Sequence, residues 1–372
     1  MNPSIYANDT GLFVVKNCNF IAQSFNKMKF EAITIKDIAK ALGLSNSTVS
    51  RAIRDSYQIS AETKQRVLSY AKEHNYRPNP IALSLKEKRS RSIGVLVSEI
   101  ANSFFSQAID GIESVAQEKG YNVIIAQSKE DILRENSSLD YLASRSVDGI
   151  ILSVSSETED FSHIQGLYDR GMHMVSFDRI VNFDKIHKVK TDNFQASYDA
   201  TTHFIKNGYK EIACISNAPF LSISQERLEG YKSALKAHKI KIEDRLIQFC
   251  AHGGLIYKEV ETAMNKLMQS KKKPNAILAC SDKITTNIVR YCQQTKIAIP
   301  QEVALVGFSN LVLTDLLVPS LSIVMQPAYE MGRVAAELLI HNIENKNAVK
   351  QFENINMPAI LHQRASSAKK DA

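Results

Sequence analysis

A cluster of small polar side chains with one arginine is suited to chemistry at the edges of base pairs. The cluster comprises Ser45, Asn46, Ser47, Ser50 and Arg51. An arginine can donate two parallel hydrogen bonds to guanine, and an asparagine can pair with adenine. These residues therefore predict base contacts in the major groove of DNA, provided that one helix presents them on a single face.

The residues before the cluster predict a helix followed by a sharp turn. Thr34 and Asp37 have the spacing of a capping box, which marks a helix start, and Gly43 supplies the turn. Apolar residues at three- and four-residue spacing predict one buried face. That face comprises Ile35, Ile38, Ala39 and Leu42.

Two more helices are predicted after this turn. Ser45 can cap a helix over 46–53, and another helix follows Ser60. Their predicted inward side chains are Val49, Ala52, Ile53, Val67, Leu68 and Ala71. The outer face of the second helix then carries the polar cluster.

Positive charge is concentrated around these helices. Residues 31–91 hold 12 Lys and Arg against 6 Asp and Glu, in a chain of net charge +7. A local cationic module favours a phosphate-backbone binder, because neutralising phosphates releases counterions. Three amphipathic helices with a basic surface also occur in domains that do not bind nucleic acid, so the helix pattern alone leaves this alternative open.

Beyond residue 91 the sequence predicts a doubly wound α/β body. Short runs rich in Ile and Val, typical of buried parallel strands, fall at 93–97, 121–126, 149–154, 173–177, 211–216, 276–280 and 303–308. Helix-length segments between them include 104–119, 194–207, 223–238 and 283–294. The length fits two lobes, and ligands of such folds bind beyond the carboxyl ends of the strands, here in the cleft between the lobes.

Polar and aromatic residues near these strand ends are the candidates for a ligand site. They are Asn102, Phe104, Phe105, Asp178, Arg179, Arg227 and Asp282. A carboxylate with a guanidinium can bracket vicinal hydroxyls, and an aromatic face can stack on a ring. The alternative for each residue taken singly is an interlobe salt bridge or a helix cap.

Residues 34–51, TIKDIAKALGLSNSTVSR, resemble the helix-turn-helix head of the lactose/galactose repressor family. The similarity continues through 76–86 and 92–96 and extends to about 364. It implies a helix-turn-helix head on a two-lobed body like that of periplasmic sugar-binding proteins. The DNA-binding positions that follow from it are Thr34, Ser45, Asn46, Ser47, Thr48, Ser50, Arg51, Asn79, Leu85 and Lys86.

The resemblance also implies a short hinge helix at 80–86 that folds on the operator. The family's leucine at the position of Leu85 wedges into the minor groove and kinks the duplex. This chain has Leu83 where the family usually carries arginine, which changes the hinge contacts. A solvated basic linker is the alternative for this segment.

These observations predict the following division of the chain. Residues 1–30 are a disordered arm, or translation starts at Met28; the remaining parts are a helix-turn-helix domain at 31–78, a hinge and linker at 79–90, a two-lobed domain at 91–364 and a tail at 365–372. The N-lobe is expected at 91–192 and 327–355, and the C-lobe at 193–326 and 356–364.

For the effector, the resemblance points to a sugar or sugar phosphate. Family members use residues matching Asp178, Arg227 and Asp282 toward it. The family's Gly-Phe-Asp or Gly-Tyr-Asp is here 307–309, Gly-Phe-Ser, so one cleft-edge charge is absent. Apolar residues at Leu221 and Ile223 argue against a nucleobase.

Several functional classes are disfavoured. The sequence has no apolar run long enough for a membrane span, no cofactor or catalytic motif, and five cysteines without metal or disulfide spacing. We therefore expect a cytoplasmic regulator without a cofactor, not an enzyme, that binds a pseudo-palindromic operator as a homodimer, since no leucine-rich tetramerisation helix follows the core. The open alternatives are control by a partner protein on the N-lobe, and a small-molecule-binding protein without a regulatory role.

Overall fold

Two compact units make up the chain, one ending at Lys86 and the other beginning at Glu87. The structure, a computed structural model, describes residues 33–54, 57–77, 89–345 and 351–369. The predicted arm at 1–30 and the predicted hinge helix at 80–86 lie outside the described residues, as do Asn79, Leu85 and Lys86.

The first unit contains three helices among its described residues: α1 (Ile35–Leu42), α2 (Asn46–Ile53) and α3 (Ala61–Glu73). The predicted capping box begins α1, because the Thr34 amide donates to the Asp37 carboxylate over 2.9 Å and the Thr34 hydroxyl accepts from the Asp37 amide over 3.4 Å. Gly43, with φ 66°, ends α1 in the left-handed conformation that glycine adopts without steric cost. The turn between α1 and α2 is therefore set by sequence-local chemistry.

A small apolar core holds the three helices together. Its buried members are Ile38, Ala39, Val49, Ala52, Val67 and Ala71. The prediction that Leu68 points inward was wrong, because this side chain is 39% exposed. α3 packs through Val67 and Ala71, which are four residues apart on one face, and Leu68 lies about 100° around the helix from Val67.

The second unit is built on two six-stranded sheets. The first sheet has the order β11-β5-β4-β3-β1-β2 and the second β12-β10-β9-β8-β6-β7. The strands of the first are β1 (Ser92–Val97), β2 (Asn122–Gln127), β3 (Gly149–Leu152), β4 (His173–Phe177), β5 (His187–Thr191) and β11 (Asn354–Met357). Those of the second are β6 (Ile212–Ser216), β7 (Ile247–Phe249), β8 (Ala276–Ala279), β9 (Ala304–Phe308), β10 (Ser322–Met325) and β12 (Ile360–His362). All pairings are parallel except β10 with β12.

Helices cover both faces of each sheet, as a doubly wound architecture requires. The helices are α4 (Ser103–Glu118), α5 (Ile132–Ser144), α6 (Ser162–Asp169), α7 (Asn193–Lys206), α8 (Ser222–Ala237), α9 (Tyr257–Met268), α10 (Asp282–Thr295) and α11 (Ala328–Glu344). In the first sheet, α4 and α11 bury one face and α5 and α6 the other. In the second, α7 and α8 bury one face and α9 and α10 the other. We call each sheet with its four helices the first lobe and the second lobe.

The chain passes between the lobes three times: between β5 and α7, between β10 and α11, and between β11 and β12. The predicted boundary at 355/356 was wrong by two residues. Asn356 and Met357 still pair with β5 of the first sheet, opposite Lys190 and Thr191. The third passage therefore follows Met357.

The predicted polar tail at 365–372 was also wrong in its first residues. Ser366 and Ser367 are fully buried against the second sheet. The Ser366 hydroxyl donates to the Leu305 carbonyl over 2.7 Å and accepts from the Ser322 amide over 2.8 Å. Serine is polar enough to suggest a surface tail, but its hydroxyl can be buried once both hydrogen bonds are made.

Direct contacts between side chains join the two lobes beside the passages. Lys283 Nζ at the start of α10 lies 3.1 Å from Glu99 Oε2, which follows β1. Gln107 of α4 and Asn310, after β9, form two hydrogen bonds of 3.0 and 2.8 Å. These contacts join the two lobes at the edges of the space between them.

His252 makes a further contact of this kind. Its Nδ1 is 2.6 Å from Glu259 Oε1 within the second lobe, and its Nε2 is 3.6 Å from Glu157 Oε1 of the first lobe. The hydrogen bond with Glu259 is the main cause that raises the pKa of His252, partial burial opposes it, and the charges of Glu259 and Glu157 add to the rise. Protonated His252 therefore attracts carboxylates from both lobes.

This geometry predicts a pH-dependent contribution of His252 to stability. Because the folded-state pKa is raised, the contribution is fully present below the ordinary histidine pKa of 6.5 and is lost as the pH rises through the folded-state value. We expect the difference in melting temperature between wild type and His252→Gln to be largest at acidic pH and to shrink at alkaline pH. Calorimetry across this range measures it, with Glu157→Gln expected to remove the interlobe part alone. A difference that stays constant with pH would rule out the ionic contribution.

Candidate functional site

The polar cluster of the first unit lies on the outer face of α2. Asn46, Ser47 and Arg51 are exposed, whereas Val49 and Ala52 form the buried face of the same helix. No hydrogen bond or ion pair engages the Arg51 guanidinium within the described ranges 33–54 and 57–77. One exposed helical face thus carries a guanidinium and an amide, which is the arrangement that base-edge recognition needs.

Hydroxyl groups at the start of α2 and along it already form hydrogen bonds that stabilise the helix. Ser45 Oγ accepts from the Thr48 amide over 3.1 Å and lies 2.8 Å from the hydroxyls of both Ser47 and Thr48. Ser50 Oγ accepts a 2.9 Å hydrogen bond from Arg54. Four of the predicted DNA-binding residues, Ser45, Ser47, Thr48 and Ser50, therefore also use their hydroxyls in hydrogen bonds within and beside α2.

Thr34 occupies a different place from the rest of the predicted set. Its hydroxyl donates to Asp37 over 2.7 Å at the start of α1, and this hydrogen bond is the main cause that lowers the pKa of the Asp37 carboxyl. Thr34 is exposed, but its side chain already has a partner. The remaining predicted positions, Asn79, Leu85 and Lys86, lie outside the described residues.

In the second unit, one cavity between the lobes brings together all seven residues predicted for a ligand site: Asn102, Phe104, Phe105, Asp178, Arg179, Arg227 and Asp282. Seven further residues line it: Ile223, Phe308 and Ser309, which the resemblance already placed near the cleft, and Asn217, Ser281, Asn310 and Gln326, which were not predicted. The space amounts to ≈ 400 Å³ when counted to its open mouth, but only ≈ 50 Å³ of it can hold water-sized molecules, which is less than the roughly 300–1,000 Å³ of small-molecule sites. The lining residues of both lobes follow strand ends, as the doubly wound fold dictates.

Asp178 lies in the first-lobe wall immediately after β4. Its backbone has φ 59°, in the left-handed region that non-glycine residues rarely adopt. Burial raises the pKa of its carboxyl, and the charges of Arg227 and Arg179 and a hydrogen bond from Gln326 oppose the rise. Strained backbone and a buried carboxyl group at one position are typical of ligand sites.

Arg227 of α8 faces Asp178 from the second lobe. Its Nε donates to Asn193 Oδ1 over 2.8 Å and its Nη1 to the Cys280 carbonyl over 2.7 Å. The guanidinium carbon lies 3.9 Å from the centre of the Phe308 ring, in cation–π contact. These contacts fix the guanidinium in one orientation.

Asp282 and Ser309 form a hydrogen-bonded pair at the edge of the second lobe. The Ser309 hydroxyl donates to Asp282 Oδ1 over 2.5 Å. Burial raises the pKa of the Asp282 carboxyl, and the hydrogen bond from Ser309 acts in the opposite direction. The serine that replaces the family's aspartate therefore removes a like charge and supplies a donor to the remaining carboxylate.

A close approach of β9 and α10 holds this pair in place. A Cβ atom on Gly307 would lie 2.2 Å from Thr285 Oγ1, so no larger residue fits there without displacing α10. Thr285 Oγ1 itself donates to the Ser281 carbonyl over 2.6 Å. Glycine at 307 thus lets the end of β9 pack against the helix that begins at Asp282.

Arg179 makes an ion pair below the cavity wall. Its Nη1 and Nη2 lie 2.5 and 2.8 Å from the two carboxylate oxygens of Glu130, and Nη1 also donates to the Val154 carbonyl over 3.1 Å. Both side chains are more than nine-tenths buried. Sequence reasoning named Arg179 but not Glu130.

The first-lobe aromatics and Asn102 serve packing as well as the cavity. Asn102 Oδ1 accepts from the amides of Phe104 and Phe105 over 2.9 and 3.4 Å and so caps α4. The two rings are 6% and 4% exposed, and Phe105 also meets Phe177 edge to face. The helix-cap alternative describes Asn102 correctly, and both rings present only a small area to the cavity.

Asn217 is the informative residue that sequence reasoning missed. Its Oδ1 is buried in the cavity wall and accepts no hydrogen bond within the described part of the chain. A buried acceptor without a donor is costly, so a ligand hydroxyl or water would stabilise it. Its position directly after β6 is the signal that could have identified it.

Other kinds of site find no support in the described ranges. No helix there is long and apolar enough to cross a bilayer. No group of three His, Cys, Asp or Glu side chains there could hold a metal ion. The four described cysteines, Cys214, Cys250, Cys280 and Cys292, are buried free thiols.

Two family models match the chain. Residues 34–79 match the lacI family of bacterial regulatory proteins, and residues 201–367 match the periplasmic binding protein-like domain. The first match covers the helices of the first unit. The second match covers most of the second lobe, together with α11 and β11 of the first lobe.

Similar proteins extend the match to nearly the whole chain. The ribose operon repressor of Haemophilus influenzae is 32% identical over 319 residues, covering 84% of this chain and 93% of that protein. The transcriptional repressor PurR of Vibrio parahaemolyticus is 31% identical over 324 residues, covering 86% and 94%. A solved complex of the transcriptional regulator CelR with cellobiose is 27% identical, with a TM-score of 0.67 over 90% of this chain and 99% of that one.

The predicted family and fold class are thereby confirmed, and the homologues are transcriptional repressors rather than enzymes. With a helix-turn-helix head, a two-sheet α/β body and relatives above 30% identity along their length, this chain belongs to the LacI family of DNA-binding transcriptional regulators.

Proposed function

We propose that this protein represses carbohydrate-utilisation genes, and that a small sugar or sugar phosphate bound in the interlobe cavity switches it. The observation that carries the proposal is that Asp178 and Arg227 attract each other across a cavity whose other polar side chains are carboxylate, amide, hydroxyl and guanidinium groups. Sugars present donor hydroxyls to such groups. The names of similar proteins, a ribose operon repressor and a regulator in complex with cellobiose, are consistent with this ligand class.

For DNA recognition, we propose that α2 enters the major groove of a pseudo-palindromic operator. Asn46, Ser47 and Arg51 then read base edges, while Ser45 and Thr48 fix the start of the helix. The hinge residues Leu85 and Lys86 are assigned to the minor groove on the family resemblance alone. Selection of duplexes from a random pool at low salt tests this directly, with enrichment of a palindrome expected and no enrichment as the contrary result.

The switch is a linkage between two sites on one chain. Sugar binding changes the contacts that join the lobes, including Lys283 with Glu99 and Gln107 with Asn310. A shift in lobe position then changes how two heads are spaced for the operator. A coupling free energy of about 1–3 kcal/mol between the sites suffices for regulation.

A homodimer supplies the two heads. The segment that follows β9 exposes a run of apolar side chains: Val312, Leu313, Leu316, Leu317 and Val318, with Val318 96% exposed. An apolar groove lined by Ile297, Ile299 and Pro319 continues this surface. Monomers rarely expose a contiguous apolar patch of this kind, and a palindromic operator requires a partner related by two-fold symmetry. We therefore assign this surface to a second copy of the chain in the cytoplasm.

Arg51→Ala tests the assignment of the recognition helix. Loss of one bidentate base contact is expected to weaken operator binding by about 1–3 kcal/mol and to leave binding to scrambled duplex nearly unchanged. Fluorescence anisotropy on both duplexes at one salt concentration gives the two affinities. Lys36→Ala is the control, because it removes an exposed charge of α1 and should lower both affinities together. An equal loss on both duplexes for Arg51→Ala would refute the base contact.

Asp178→Asn tests the sugar site. The substitution keeps the shape of the side chain but removes the carboxylate, so sugar affinity should fall about 10- to 100-fold, the cost of a charge-assisted hydrogen bond. Asp184→Asn, on a fully exposed carboxylate of the same lobe, should bind sugar like wild type. Titration calorimetry with the bound sugar decides, and full affinity in Asp178→Asn would remove this residue from the site.

Leu316→Glu tests the dimer surface. A charge buried in an apolar interface is expected to raise the dimer dissociation constant by at least about tenfold. Sedimentation equilibrium measures the constant. Leu133→Glu places the same charge on an exposed leucine of α5 and should leave association unchanged. A wild-type dimer constant in Leu316→Glu, or loss in both variants, would contradict the assignment.

A further inference from the structure

The charges in and under the cavity wall set which ligands the cavity can accept. Two guanidinium groups, Arg179 and Arg227, and two carboxylates, Asp178 and Asp282, line it. Glu130 lies directly behind Arg179 and adds a third carboxylate. Counting Glu130, three carboxylates therefore stand against two guanidinium groups at the cavity.

Arg179 is the first-lobe cation that an anionic ligand would meet, and Glu130 already occupies it. Both carboxylate oxygens of Glu130 take N–H donors from its two terminal nitrogens, at 2.5 and 2.8 Å. This two-point geometry is the one that a phosphate group would also use. An anion could engage Arg179 in the same way only by displacing Glu130.

Glu130 is held firmly in this position. Its carboxylate also accepts from the Ser156 amide over 2.8 Å. Its backbone, with φ 63°, and that of Lys129, with φ 55°, are both in the left-handed region. Burial by itself raises the pKa of the Glu130 carboxyl, but the charge and hydrogen bonds of Arg179 outweigh it and bring the pKa below the ordinary value. The carboxylate is therefore ionised and fixed by the fold.

The hydrogen-bonding groups that remain open in the wall point to the same ligand chemistry. Asn217 Oδ1 is a buried acceptor without a donor in the described part of the chain. The carboxylates of Asp178 and Asp282 are acceptors as well. Arg179 Nε is a buried donor that also has no partner in the described part of the chain. Hydroxyl groups can donate to the three acceptors and accept from this donor, whereas a phosphate dianion brings only acceptors.

We infer that Glu130 is a specificity-determining residue of the cavity: by neutralising Arg179 it makes the site accept an uncharged polyol and reject the phosphorylated form of the same sugar. The inference rests on the proposed function, since it narrows the sugar or sugar phosphate of that proposal to one of the two. Glu130 acts through Arg179 and does not itself line the cavity.

The test compares matched ligands on the full-length chain. The probes are ribose, glucose and cellobiose, each beside its monophosphate, with thermal shift for detection and calorimetry for affinity at constant ionic strength. We expect at least one free sugar to bind and its phosphate to bind at least about 100-fold more weakly, because the phosphate would be buried where three carboxylates outnumber two guanidinium groups. Equal or tighter binding of the phosphate to wild type would overturn the inference.

Variants separate specificity from packing. Glu130→Gln frees Arg179 and is expected to reduce the sugar-to-phosphate affinity ratio at least tenfold, whereas the double variant Glu130→Gln, Arg179→Gln should restore the wild-type ratio. Glu118→Gln, on an exposed carboxylate of the first lobe, is the matched control and should leave the ratio unchanged. An unchanged ratio in a folded Glu130→Gln would overturn the role of Glu130. If that variant does not fold, the wild-type pairs still decide whether phosphate is rejected.

Two outcomes distinguish this inference from the proposed function. Binding of a sugar phosphate alone would leave a sugar-switched regulator intact and overturn the inference. Binding of none of the six probes would refute the sugar-effector proposal and the inference together.

Discussion

Burial of opposite charges between two lobes is the interaction on which the rest of the body depends. Asp178 and Arg179 follow a strand of the first sheet, while Arg227 and Asp282 belong to helices of the second. Arg179 has its carboxylate partner, Glu130, in the same lobe, whereas Asp178 and Arg227 attract each other across the lobes, and an isolated charge in a dry interior costs several kcal/mol. The cavity is therefore stable only when both lobes contribute, and a ligand that inserts among these charges alters the balance between the lobes.

Because the chain passes between the lobes three times, a change in the balance of these charges affects both lobes. Each passage links a strand of one sheet to an element of the other, so neither lobe is a continuous segment. Relative movement of the lobes is confined to the passages and to a few polar contacts, including the ionic contact of His252 with Glu157. A small free energy of ligand binding can then shift the position of one lobe relative to the other, and not only rearrange side chains near the ligand.

The sequence was sufficient to predict the features that depend on local chemistry. Thr34, Gly43 and Ser45 define the ends of the first helices through caps and turns, and these predictions agree with the structure. The position of Arg227 and Asp282 in one cavity followed from the rule that ligands bind at strand ends. The family resemblance strengthened this interpretation because its motifs span both units.

Features that depend on strand order or on long-range packing could not be predicted. Glu130 follows β2 and Arg179 follows β4, and two strands separate β2 from β4 in the sheet, so their ion pair requires the full topology. The Ser366 hydroxyl can be buried because it donates to the Leu305 carbonyl and accepts from the Ser322 amide. Its polar neighbours in the sequence give no sign of these two contacts. The left-handed backbone of Asp178 is likewise imposed by the tertiary structure rather than by its residue type.

Reciprocal linkage between sugar and operator is the most direct test of a sensor that controls a DNA-binding head. The dissociation constant of the sugar is measured by calorimetry with and without saturating palindromic operator, and that of the operator by anisotropy with and without saturating sugar. The account predicts the same ratio in both experiments, about 5- to 150-fold in either direction. A ratio of one, with both ligands bound, would show that the cavity does not regulate DNA binding.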